Sequence, residues 1–143
     1  MAVTAYRHTP VDVQLDIALY TFLGIMVDEP DIMTCSTIRE FPSRLFDGRI
    51  QLHPILTRFA ENLARMRQHF SAYGANIITT NTVDFVNAEM LIRDEGGPEV
   101  HGQLASGYAD YIRLKTGLGE TYAAFIWPRS MFPHTKTYVK TFP

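Results

Sequence analysis

From Val11 to Val27 the chain is apolar almost without interruption: only Asp12, Gln14, Asp16 and Thr21 break the run. A helix of that composition is apolar on every side and is expected at the centre of a core. At 1.5 Å per residue it would be about 27 Å long. Thr9, Pro10 and Asp12 read as its start, with a hydroxyl N-cap, a proline at N1 and an acid at N3, and Pro30 helps to stop it. A second helix has the opposite pattern. His53-Pro54 opens it, Ile55, Leu56, Phe59, Leu63, Met66 and Phe70 share one face, and Arg58, Glu61, Arg65 and Gln68 take the other.

The remaining elements are read from breakers and caps. Thr37 and Glu40 have capping-box spacing, so a short helix is expected there, interrupted near Pro42 and closed at Asp47-Gly48. Tyr73-Gly74 breaks the chain, and Ile77, Ile78, Phe85, Val86, Met90 and Leu91 predict a helix to about Arg93. Its TTNTV centre has poor helix propensity and has to be held by packing. Asp94 to Gly102 reads as a loop. A helix from about Gln103 carries Tyr108, Tyr111, Ile112 and Arg113 and should break or kink at Gly117-Leu118-Gly119. Tyr122 to Trp127 resumes it, Pro128 stops it, and another apolar segment begins around Thr135. No stretch alternates with the period of a strand and nothing repeats, so the expected class is all-α.

Composition narrows the function classes. A chain of 143 residues with 46% apolar content suits one domain burying roughly 70% of its unfolded surface. The net charge of −2, with lysine and arginine scattered, points away from nucleic acid and from membrane surfaces. Cys35 is the single cysteine, which excludes a disulfide framework and suggests a buried thiol in a reducing compartment. The N-terminus has no signal-like apolar region, and Ile17 to Val27 is shorter than the ~20 residues a bilayer needs. A soluble, cytoplasmic protein is expected. The five histidines show no i,i+4 pair, so they are not expected to bind metal.

The candidate chemistry lies at two places. Asp28, Glu29 and Asp31 crowd the C-terminal end of the long apolar helix, where the dipole disfavours negative charge. Such carboxylates invite a cation, and hard oxygen ligands suit Mg²⁺. On these residues alone, a solvated loop is the commoner outcome. Arg113 is the second place: a guanidinium forks onto phosphate oxygens, although a surface ion pair is the plainer use of an arginine. The GLG that follows has no preceding strand and no third glycine, so a nucleotide-binding loop is set aside.

Several stretches together resemble fungal class I terpene cyclases of the trichodiene synthase family: Ala5, Tyr6, His8 and Pro10; YTFLGIMVDE; Gly48-Arg49 followed by HPIL; TVDF; YIRLKTGLGE; and FIWPRSMFP. The resemblance implies a class I isoprenoid synthase bundle. It also implies Mg²⁺-dependent ionisation and cyclisation of a prenyl diphosphate, most simply farnesyl diphosphate. It makes Asp28 the first residue of the aspartate-rich metal motif, with Glu29 in a second acidic position. The fifth motif position, commonly acidic, is Ile32 here, and Asp31 falls one residue earlier. It makes Arg113 the diphosphate-sensing arginine, Thr116 the linker and Gly117 the carbonyl effector in the helix break.

Residues 1–143 are then expected to be a partial terpenoid synthase domain. By resemblance, the second metal motif and an Arg-Tyr pair belong to a helical half beyond Pro143. Three readings follow. One is a portion of a sesquiterpene cyclase that does not turn over alone. Another is a binding or assembly protein pairing with itself or with a fuller cyclase. The last is a small isomerase or cyclase acting on a neutral substrate.

Overall fold

The one-sided pattern that starts at His53 becomes a helix burying Leu56, Phe59, Leu63 and Met66, with Phe70 buried just past its end. Pro54 occupies its first turn, and His53 Nδ1 accepts the Ile55 N–H at 3.2 Å as the N-cap. A computed structural model describes residues 2–94 and 105–134. Within them the order is α1 (Ala2–Ala5), α2 (Val11–Asp28), α3 (Cys35–Arg39), α4 (Phe41–Phe46), α5 (Pro54–His69), α6 (Ala72–Asp94), α7 (Ala105–Thr116) and α8 (Gly119–Ala124). The described residues contain no strand, and the fold is an all-α bundle.

Helix α2 lies along α5, and α6 packs against α3, α5, α7 and α8. An aromatic cluster joins these layers. Tyr20 of α2 has its ring centroid 5.2 Å from that of Phe59 and 5.3 Å from that of Phe125. The Tyr20 hydroxyl is 2.6 Å from Thr82 Oγ1 of α6, and Thr82 in turn donates to the Ile78 carbonyl at 2.6 Å. Thr79 and Thr80 also donate back to carbonyls four residues earlier. Local bonds of this kind do not themselves favour a helix; the burial of Ile78, Thr82, Phe85 and Val86 holds the threonine-rich centre of α6 helical.

Several local expectations are corrected. Thr9 does not cap α2: its hydroxyl is buried and donates to the Tyr6 carbonyl at 2.9 Å, closing the turn after α1, and the N-cap residue is Pro10. Helix α2 is not covered all round. Val13, Ile17, Tyr20, Leu23, Gly24 and Val27 face inward, while Val11, Leu15, Phe22 and Ile25 are exposed. The cap of α3 is Thr34, one turn earlier than the Thr37–Glu40 box, with its Oγ1 accepting the Thr37 N–H at 3.3 Å. Cys35 is only half-buried, and its thiol donates to Asp94 Oδ1 at 2.8 Å.

The break expected at Tyr73-Gly74 falls earlier. Ser71 O and Oγ accept the N–H groups of Ala75 and Gly74, so both Tyr73 and Gly74 lie in the first turn of α6. The turn expected at Asp47-Gly48 is present. Gly48 has φ +67, and the Arg49 N–H reaches back to the Arg44 carbonyl at 2.8 Å, the reversal that glycine permits without steric cost. Asp16, an acid in the apolar run, is accounted for by α5: Arg65 Nε and His69 Nε2 each lie 2.9 Å from its carboxylate. The loop beyond Asp94, the start of the helix at Gln103 and the segment from Thr135 fall outside the described residues.

Candidate functional site

The last turn of α2 and the junction of α7 with α8 face each other across a cleft of about 180 Å³. Thr21, Gly24, Ile25 and Asp28 line it from α2, Thr116, Gly117 and Leu118 from the junction, Phe85 from α6 and Tyr122 from α8. Of the residues singled out from sequence, Asp28, Thr116 and Gly117 therefore meet. Glu29, Asp31 and Arg113 are exposed and do not line the cleft.

The junction has a specific geometry. The Gly117 N–H donates to the Arg113 carbonyl at 3.0 Å, and Thr116 Oγ1 donates to the Ile112 carbonyl at 2.9 Å, closing the last turn of α7. The chain then reverses at Leu118, which is left-handed with φ 49 and ψ 28 and is buried. Only the packing of a buried side chain offsets that conformation in a residue with a Cβ. Asn81 of α6 anchors the far side, its Oδ1 accepting from both Thr121 N (3.3 Å) and Thr121 Oγ1 (3.0 Å). Lys115 Nζ reaches Asp84 Oδ2 at 2.6 Å and ties α7 to α6. Among the described residues, no hydrogen bond or ion pair engages the Arg113 side chain.

At the other wall, the end of α2 is held by a residue that the sequence reading passed over. Arg93 Nη2 donates to the Val27 carbonyl at 2.7 Å and to the Asp28 carbonyl at 3.0 Å. These are C-terminal carbonyls with no partner inside the helix, and a cation there complements the dipole. Arg93 Nη1 lies 3.2 Å from Glu89 Oε2, and both side chains are at most 10% exposed. The contact is an ion pair whose Nη1 is not aligned as a hydrogen bond. Burial, and then the nearby Asp28 carboxylate, push Glu89 up to about 7, against the opposing pull of Arg93; a side-chain hydrogen bond between Glu89 and Asp28 acts in the same upward direction.

Among the described residues, no group of three or more histidine, cysteine or acidic side chains converges to hold a metal ion. The carboxylate at the cleft is that of Asp28; Glu89 stands beside it but is buried and does not line the cleft. One carboxylate fits Mg²⁺ only where water and phosphate oxygens complete its octahedron, which is the usual arrangement for that ion. No described helix is long and apolar enough to cross a membrane.

Comparison with known proteins agrees with this architecture. The family described as Trichodiene synthase (TRI5) matches residues 1–142. Terpene synthase 29 of Postia placenta is 35% identical over all of the chain and 42% of its own length. Terpene synthase BipA of Cochliobolus sativus is 36% identical over 92% of the chain and 40% of its own length. Trichodiene synthase of Fusarium cortaderiae is 22% identical over 98% of the chain and 36% of its own length. The chain thus spans about two-fifths of the length of these curated relatives. With a family match running from its first residue to Phe142, the chain belongs to the trichodiene synthase family of terpene synthases.

Proposed function

We propose that the cleft between Asp28 and the α7–α8 junction is the diphosphate end of a terpene cyclase site, acting on a prenyl diphosphate, most simply farnesyl diphosphate. The observation that carries this is the meeting of Asp28 with Thr116 and Gly117 across one cleft, in a chain of the trichodiene synthase family. Asp28, with Glu29 and Asp31 on the adjoining turn, would hold Mg²⁺. When bound, the ion supplies charge neutralisation to a departing diphosphate. Arg113, with no side-chain partner among the described residues and one turn before Gly117, supplies a guanidinium that can fork onto the same oxygens. The junction contributes backbone dipoles beside the cleft, and Phe85 and Tyr122 give it aromatic walls.

The activity is proposed for the whole family fold, with this chain as a partial domain. Incubation with farnesyl diphosphate and Mg²⁺ tests it, with and without a polypeptide supplying the rest of that fold. Terpene hydrocarbon is expected from the mixture, is expected to be lost in Arg113→Lys, and is expected to be absent from the chain alone. Mg²⁺-independent turnover of a neutral substrate, indifferent to Arg113→Lys, would replace this reading with that of a small isomerase. An assembly role has one observation in its favour: Val11, Leu15, Phe22 and Ile25 form an exposed apolar stripe on α2, and such patches mark interfaces. That stripe supports association with a second copy or with a fuller cyclase.

A further inference from the structure

We infer that Arg93 is a positioning residue for Asp28, held in place by Glu89. This rests on the cleft being a magnesium–diphosphate site and adds to it the device that aims its carboxylate. The observations are geometric. One nitrogen of a nearly buried guanidinium grips the last two carbonyls of α2, at 2.7 and 3.0 Å, so the backbone that carries the Asp28 side chain is fixed from α6. Glu89, one turn earlier on α6 and 4% exposed, faces the same guanidinium at 3.2 Å.

A carboxylate at a frayed helix end would sample many directions. One whose own carbonyl is bonded keeps its Cα–Cβ bond in one direction, and it does so without Arg93 touching the ligand. The arginine also answers the electrostatic problem of an acid at a helix C-terminus: a permanent cation already sits there. Lysine would keep the charge, but its single ammonium has no second nitrogen to face Glu89 while the first holds the two carbonyls.

The test is calorimetric titration of the chain with inorganic diphosphate in Mg²⁺, alongside circular dichroism and thermal unfolding of each variant. Arg93→Lys is expected to weaken binding by roughly tenfold, the scale seen for groups that orient metal ligands, with helical content retained. Glu89→Gln, which leaves the two carbonyl bonds but loosens their donor, is expected to give a smaller loss and stands in if Arg93→Lys does not fold. In an Asp28→Glu background, whose longer carboxylate no longer depends on that backbone direction, Arg93→Lys should add little. A merely structural role would instead add its full loss there. Wild-type affinity in both Arg93→Lys and Glu89→Gln, with binding lost in Asp28→Asn, would overturn the positioning role and leave the cleft assignment standing. Failure of the wild-type chain to bind magnesium–diphosphate would overturn both.

Discussion

Leu118 rests against Gly24: a Cβ added to Gly24 would lie 4.0 Å from Leu118 Cδ1, so the α7–α8 junction is seated directly on α2. That separation is ordinary van der Waals contact. Gly24→Ala should therefore be accepted and, by removing a glycine from a helix interior, should stabilise by about 0.5–1 kcal/mol. Gly24→Leu should displace Leu118 and cost about 1–3 kcal/mol. Urea unfolding of the two variants checks both signs, and a large loss in Gly24→Ala would contradict the packing described.

The two glycines of the junction should behave differently. A Cβ on Gly117 would stand 2.8 Å from the Arg113 carbonyl oxygen, which cannot retreat because it accepts the Gly117 N–H; one on Gly119 would meet open space. Gly117→Ala is expected to cost about 1–3 kcal/mol and Gly117→Val more. Gly119→Ala should fall within about 1 kcal/mol of wild type. Equal effects in chemical denaturation would show that the junction is not closed as described.

Much of the fold was legible in the sequence because burial and period coincide there. The face of α5 from Leu56 to Met66 is one apolar stripe opposite charged residues, and it is the face that packs. Where several residues compete for one role, spacing alone chose wrongly. Thr34 caps α3 in place of Thr37, and the Thr9 hydroxyl goes to Tyr6. The break at residues 117–119 was legible from its glycines, yet the left-handed residue is Leu118, held there by burial that a local reading does not see.

Asp28, Thr116 and Gly117 were singled out from sequence as candidate site residues, but Glu89 and Arg93 were not. The available signal was an acid and a base four residues apart near the C-terminal end of α6. An i,i+4 pair is usually a surface feature, and only the carbonyls of α2, more than sixty residues away in sequence, reveal what the arginine does.

Alkaline pH should unfold the chain through its tyrosines. Burial first, and then the neighbouring Tyr122, push Tyr6 up from 10 to about 12, while its hydroxyl donates to the Tyr122 carbonyl at 3.0 Å. The folded state thus favours the neutral phenol. Its contribution is complete below pH 10 and is lost as pH climbs from 10 through 12, at most about 2–3 kcal/mol. Tyr6→Phe should be less stable by about 1 kcal/mol at neutral pH, from the lost hydrogen bond, and should decline less steeply above pH 10. Buried Tyr20, also raised, leaves a residual decline. Parallel wild-type and Tyr6→Phe profiles of stability between pH 9 and 12 would contradict this assignment.

The central claim is that Asp28 and the α7–α8 junction form one magnesium–diphosphate site, and isothermal titration of the chain with inorganic diphosphate, Mg²⁺ and the two together tests it most directly. Each alone is expected to bind weakly and the pair much more tightly, because phosphate oxygens complete the ion's coordination, and Asp28→Asn is expected to abolish that synergy. Identical heats for wild type and Asp28→Asn would remove Asp28 from the site and contradict the account.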